Sequence, residues 1–301
     1  MWLVVCAATW ATNARIPVSL LYGFHGAGVL SAAGRVVVLL GWPIALAAIP
    51  LMAVAVDRFL AFPHSQSAAR LVGAASLLAI VFCLTIAWPG AQQATHLDAR
   101  YINAPAAVGV AVAFGLTVYV LARTGRGARP PRTRMDAVLV TVFLVLLALS
   151  LPWLLANFGY YVGDVAGLRR VFMSEQVAPE PGNPHLRAVH LGNHEGIDGV
   201  LLAITAVVLI RTLGQMARSA RRAVLAAYLS LLLVYGLGVA LADGWHEQIT
   251  KRGWTAWRVP SVLHPSASWA WLVVLVVGAL VWLVVRAWLL GLERRVRLRR
   301  A

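Results

Sequence analysis

Metal ligands and proton-transfer groups are scarce in this 301-residue chain, which has eight histidines and eleven carboxylates. The sharpest cluster is His190-Leu-Gly-Asn-His194-Glu195-Gly-Ile-Asp198. On a helix, His190, His194 and Asp198 fall within about 80° of one face. Imidazole and carboxylate in that pattern suit Zn²⁺ or a similar divalent ion, with Glu195 beside them as a general base. The plainer alternative is a wet helix start, capped by Asn193 or Asp198, in which Gly192 and Gly196 serve close helix packing. Two further groups have the same chemistry. His96-Leu-Asp98 can share one site only if that stretch is extended or turned. In Asp243-Gly-Trp-His246-Glu247, Asp243 and His246 have the spacing of neighbours on one helix face. Arg169, Arg170, Arg187, Arg252 and Arg258 are suited to hold a phosphate or carboxylate headgroup near these groups, or simply to meet lipid phosphate.

Two resemblances attach to these residues. His194-Glu195-Gly196-Ile197-Asp198 resembles the HExxH zincin helix in part, with Asp198 where the second histidine would stand. The His190/His194 spacing, together with the topology derived below, is similar to alkaline ceramidases and related seven-helix hydrolases. Those proteins hold an intramembrane zinc with histidines that include an HxxxH pair. Here the pair lies on the fifth span and not the last, and the family's Ser and Asp have no identified counterparts. The likeness is an analogy of architecture.

The elements that must position these groups follow from composition. Hydrophobic residues make up 60% of the chain and charged residues 12%, and mean hydropathy is +0.78. This excludes a disordered chain, a coiled coil and an ordinary water-soluble enzyme, and predicts an all-α polytopic membrane bundle. Seven stretches have the length to cross about 30 Å of hydrocarbon: 33–56, 71–88, 102–121, 135–157, 191–210, 223–242 and 269–290. Asn13, Arg15 and Pro17 interrupt the preceding region, so 1–32 reads as an interfacial segment outside the membrane. Met1 to Trp10 lacks a basic start, and no cleaved targeting peptide is expected. Cys6 and Cys83 lie in apolar sequence without CxxC spacing, and no disulfide is expected.

The net charge of +15 does not imply nucleic acid. All but one basic residue (Lys251) is Arg, mostly in short runs between apolar spans. Arg58 and Arg70, the run from Arg123 to Arg134, the run from Arg211 to Arg222, and the tail from Arg286 to Arg300 share one side with only Asp57, Asp136 and Glu293. Positive-inside bias then predicts the N-terminus outside and the C-terminus inside, with 291–301 as a basic cytoplasmic tail. His96, His185, His190, His194, His246 and His264 all fall on the outer side. Trp88, Trp245, Trp254, Trp257, Trp269 and Trp271 form an outer aromatic belt. The longest loop, 158–190, is too short and polar for its own core but long enough to act as a lid.

The resulting expectation is a metal-dependent hydrolase or transferase in a bacterial plasma membrane, acting at the outer leaflet on a lipid or lipid-linked substrate. His190, His194 and Asp198 would be ligands, with His96, Asp98 or His246 completing the set and Glu195 handling protons. A transporter or cation/proton-binding protein is the alternative, and a bis-histidine haem or quinone protein a second one. The few polar residues inside the spans, such as Thr85, Thr117, Thr205 and Ser230, weigh against transport.

Overall fold

The computed structural model describes residues 42–87, 104–124, 133–157, 173–177, 187–189, 195–216, 219–250, 254–263 and 265–298. Within them lie seven long helices: α1 (Trp42–Leu60), α2 (Gln66–Leu84), α3 (Ala104–Thr124), α4 (Arg134–Asn157), α5 (Glu195–Thr212), α6 (Ala220–Trp245) and α7 (Trp269–Leu298). Between α4 and α5, β1 (Met173–Val177) pairs antiparallel with β2 (Arg187–Val189). The expected lid loop therefore contains a short strand pair, a departure from a purely helical chain. The helix α7 runs to Leu298, about two turns past the end expected from hydropathy, because Arg and Leu are good helix formers once the bilayer no longer decides.

Polar caps start the helices. Ser65 Oγ accepts from the Ala68 N–H ahead of α2, and Ser219 Oγ accepts from the Arg222 N–H ahead of α6. At α4, Thr133 and Asp136 cap each other: the Asp136 N–H donates to Thr133 Oγ1 at 3.2 Å, and the Thr133 N–H donates to Asp136 Oδ2 at 2.7 Å. This is a capping box with Asp in the usual Glu position.

Between their caps the helices are apolar all round. Leu71 and Leu77 on α2, Phe114 and Leu121 on α3, Leu144 on α4, and Leu272 and Val284 on α7 are exposed. A protein in water rarely leaves so much contiguous apolar surface uncovered, whereas lipid requires it. Among the described residues five helices are long and apolar enough to cross a membrane: α2, α3, α6 and the stretches Asp198–Gln215 and Trp269–Glu293. This is the architecture of a multi-pass membrane protein.

In one group, α1, α2 and α3 pack on each other; α5 packs on α1, α4 and α6, and α7 closes against α6. The most enclosed span is α5, with 67% of it buried against 22% for α2 and for α7. Small residues make this possible. A Cβ built on Gly199 would stand 2.5 Å from the Gly236 carbonyl oxygen, and one on Gly236 would stand 2.4 Å from the Gly199 carbonyl oxygen. The backbones of α5 and α6 therefore touch. Gly109 of α3 meets α2 in the same way, at Ala79 and Cys83.

The fold also repairs a defect written in the sequence. Pro50, fully buried in α1, has no N–H to give to the carbonyl of Leu46. The Tyr228 hydroxyl of α6 donates to that carbonyl at 2.8 Å. The pair pins α1 to α6 and removes an unpaired acceptor that lipid could not satisfy.

Gly199→Ala should lower Tm in detergent by several degrees or prevent folding, because the methyl meets backbone and not a movable side chain; overpacking of this kind costs about 1–3 kcal/mol. Gly73→Ala, whose Cβ meets nothing within 4 Å, should leave Tm unchanged or raise it. A Gly199→Ala protein as stable as the parent would contradict the close crossing.

Candidate functional site

Because α5 and α6 run antiparallel and cross at Gly199 and Gly236, the start of α5 and the end of α6 share one end of the bundle. One turn into α5 stands Asp198, half-buried. At the other side of the crossing, α6 passes Asp243 and turns at His246 into a π-helical turn, His246–Thr250. Both side chains are half-buried, and one carboxylate oxygen of Asp243 is fully enclosed. The His246 backbone N–H donates to the Ala242 and Asp243 carbonyls. Chemically this end offers two carboxylates and an imidazole. Such a set can exchange protons with a bound group.

The other expected site residues divide as follows. Glu195 opens α5, and Arg187 lies on β2. Arg258 is exposed in the segment after α6. His190, His194, His96, Asp98, Arg169, Arg170 and Arg252 lie outside the described residues. Among the described residues, no three His, Cys, Asp or Glu side chains come together closely enough to hold a metal ion. Asp198, Asp243 and His246 are three such groups in number, but they do not converge on one point and so do not form a zinc site by themselves. A complete set requires His190, His194, His96 or Asp98 in addition.

The segment 254–263 shapes this end in a way that hydropathy does not foresee. It is not helical, yet Val262 and Leu263 are buried, and Val262 packs at Gly238, about two turns inside the α6 end. The Tyr235 hydroxyl of α6 donates to the Leu263 carbonyl at 2.8 Å. Irregular backbone at that depth is tolerated only where protein covers it, and this hydrogen bond is part of the cover. Above it the tryptophans interlock. Trp245 meets Trp257 edge-on at 5.1 Å and donates its indole N–H to the Trp257 carbonyl, and Trp257 stacks on Trp269 at 6.0 Å. Trp254, Trp257 and Trp269 are exposed, as an interfacial belt requires. Trp271 departs from that expectation: its indole N–H is enclosed and its ring packs on Tyr235 at 5.7 Å.

The opposite end is a clasp of arginines. Arg58 donates to Thr124 Oγ1 at 2.8 Å, joining α1 to α3. Arg211 pairs with Asp136 at 2.6 Å, joining α5 to α4, and Arg222 pairs with Glu293, joining α6 to α7. The sequence signal was present: Asp136 and Glu293 are rare acids within basic runs, and a lone acid among arginines at a helix end marks a pairing site. Inside the spans the hydroxyls turn back on their own helices. Ser76, Thr117, Thr205 and Ser230 each donate to the carbonyl four residues earlier.

Removing the Tyr235 hydroxyl strands a buried carbonyl, at a cost of about 1–3 kcal/mol. Tyr235→Phe should therefore lower Tm and speed hydrogen exchange across 254–263 while leaving α2 and α3 protected. Unchanged exchange in 254–263 would contradict the anchoring role. No known protein family, curated protein or solved structure matches this chain.

Proposed function

We propose that the chain is a seven-span bacterial plasma-membrane protein with its N-terminus outside and its C-terminus inside. The seven would be the five apolar spans together with α1 and α4, whose 19 and 24 residues cover about 28 and 36 Å at 1.5 Å per residue. The arginine clasp supports the orientation, since that end would face the cytoplasm.

At the outer end the chain would carry a metal-assisted hydrolytic or transferase site for a lipid or lipid-linked substrate. The observation that supports this reading is the glycine crossing of α5 and α6, from which Asp198 at the crossing and Asp243 and His246 further along α6 lie toward the same end of the bundle. His190, His194, His96 or Asp98 would complete a zinc ligand set with Asp198 and His246, and Glu195 would accept or return a proton. A bound divalent ion would polarise the scissile bond. Arg169, Arg170, Arg187, Arg252 and Arg258 would hold the headgroup. Substrate would enter sideways from the leaflet, under the tryptophan layer. The self-bonded hydroxyls of Thr117, Thr205 and Ser230 leave little to line an ion path, which favours an enzyme over a transporter.

Metal analysis of the purified full chain tests the reading. Wild type should carry stoichiometric zinc or another divalent transition metal, and His194→Ala and Asp198→Asn should lose most of it while keeping their helical circular dichroism. Equal and negligible zinc, iron and copper in all three would remove the metal-dependent site.

A further inference from the structure

The arginine end holds more positive charge than its carboxylates neutralise. Asp136 is taken by Arg211 and Glu293 by Arg222. Arg70, Arg123, Arg134, Arg221 and Arg286 are exposed and have no acidic partner among the described residues. Two of these five are held in a particular way. The Arg123 guanidinium lies over the Tyr119 ring, 5.6 Å from its centroid, and that of Arg286 over the Trp282 ring at 5.5 Å.

Each pair is spaced four residues apart, and helical side chains lean toward the helix N-terminus. Both α3 and α7 reach this end with their C-terminal halves. Leaning back therefore draws each guanidinium toward the apolar middle of the bundle and away from water. A long cationic side chain near a membrane surface ordinarily reaches outward instead. At 1.5 Å per residue, Arg123 stands about 29 Å from Ala104 and Arg286 about 26 Å from Trp269. Both therefore lie near the edge of a hydrocarbon layer about 30 Å thick. The rings are fixed from behind: Tyr119 packs on Phe59 of α1 at 6.1 Å, and Trp282 packs against the buried core. A guanidinium whose face is occupied by a ring keeps its N–H edge for bidentate bonds to an oxyanion. At that depth the anion at hand is a lipid phosphate.

We propose that Arg123 with Tyr119, and Arg286 with Trp282, are two seats for the phosphate of an anionic phospholipid in the leaflet at the arginine end. The inference rests on the membrane-spanning reading and not on the site at the opposite end, so metal content and lipid retention can fail independently.

Native mass spectrometry of the full chain tests it, with phosphatidylglycerol and phosphatidylcholine offered in equal amounts in detergent. Wild type should retain phosphatidylglycerol in preference. Arg123→Gln with Arg286→Gln should weaken that retention about fivefold per seat. Arg70→Gln with Arg134→Gln, which removes the same charge without a ring beneath it, should stay near wild type. Tyr119→Leu with Trp282→Leu keeps the charge, removes the seat, and should also weaken retention. Equal loss in the two arginine pairs would overturn the seats in favour of diffuse charge. No preference for phosphatidylglycerol in wild type, or displacement of the lipid by inorganic phosphate, would overturn the proposal outright.

Discussion

Two glycines in van der Waals contact set the layout of this protein. Gly199 and Gly236 let the backbones of α5 and α6 touch, and no residue with a Cβ fits at either position. In lipid there is no hydrophobic force to drive helices together, so close backbone packing has to supply the attraction. The contact makes α5 the enclosed centre of the bundle and fixes which helix ends meet. The Asp198 end and the arginine end then follow from chain direction alone.

A second constraint acts along every span: an apolar solvent accepts no hydrogen bonds, so each backbone group needs a partner within the protein. Pro50 leaves the Leu46 carbonyl without its helical donor, and the Tyr228 hydroxyl takes the place of the missing N–H. The irregular segment 254–263 is held in the same manner by Tyr235. Both tyrosines belong to α6, the helix that also makes the glycine contact. One helix thus carries the closest packing and the two hydroxyls that satisfy irregular backbone in its neighbours. Inside the spans, the Ser76, Thr117 and Ser230 hydroxyls donate to carbonyls of their own helices.

Much of the architecture was legible in the sequence because the bilayer makes length and hydropathy decisive. The expected spans 102–121 and 135–157 lie within three residues of α3 and α4 at every end. The ends that drifted are those where polar residues keep a helix going: α6 begins at Ala220 behind the Ser219 cap, and α7 continues through its basic end. Tertiary partners were not legible. Nothing in periodicity says that Tyr228 seeks the Leu46 carbonyl, although a proline inside a span does ask for an outside donor. Trp271 read as an interfacial residue, yet its ring packs on Tyr235 and its indole N–H is enclosed. Of the candidate site, the structure describes Asp198 on α5 and His246 at the end of α6. The expected ladder of His190, His194 and Asp198 falls largely outside the described residues, which begin there at Glu195.

The two ends of the bundle differ in their charged and polar residues. One has Asp136 and Glu293 taken up in inter-helix pairs, beside a surplus of arginine. The other has half-buried carboxylates and an imidazole beneath a tryptophan layer. That division holds only if α5 and α6 cross as described. The most direct measurement is a pair of spin-label distances on the full chain with Cys6 and Cys83 replaced by serine. One sample carries labels at Asp198→Cys and Leu241→Cys, the other at Asp198→Cys and Val224→Cys. Leu241 and Val224 are both exposed on α6 and lie about 25 Å apart along its axis at 1.5 Å per residue. The crossing predicts a short distance for the first pair and one longer by roughly that helix length for the second. Two equally long distances, or the reverse order, would contradict it.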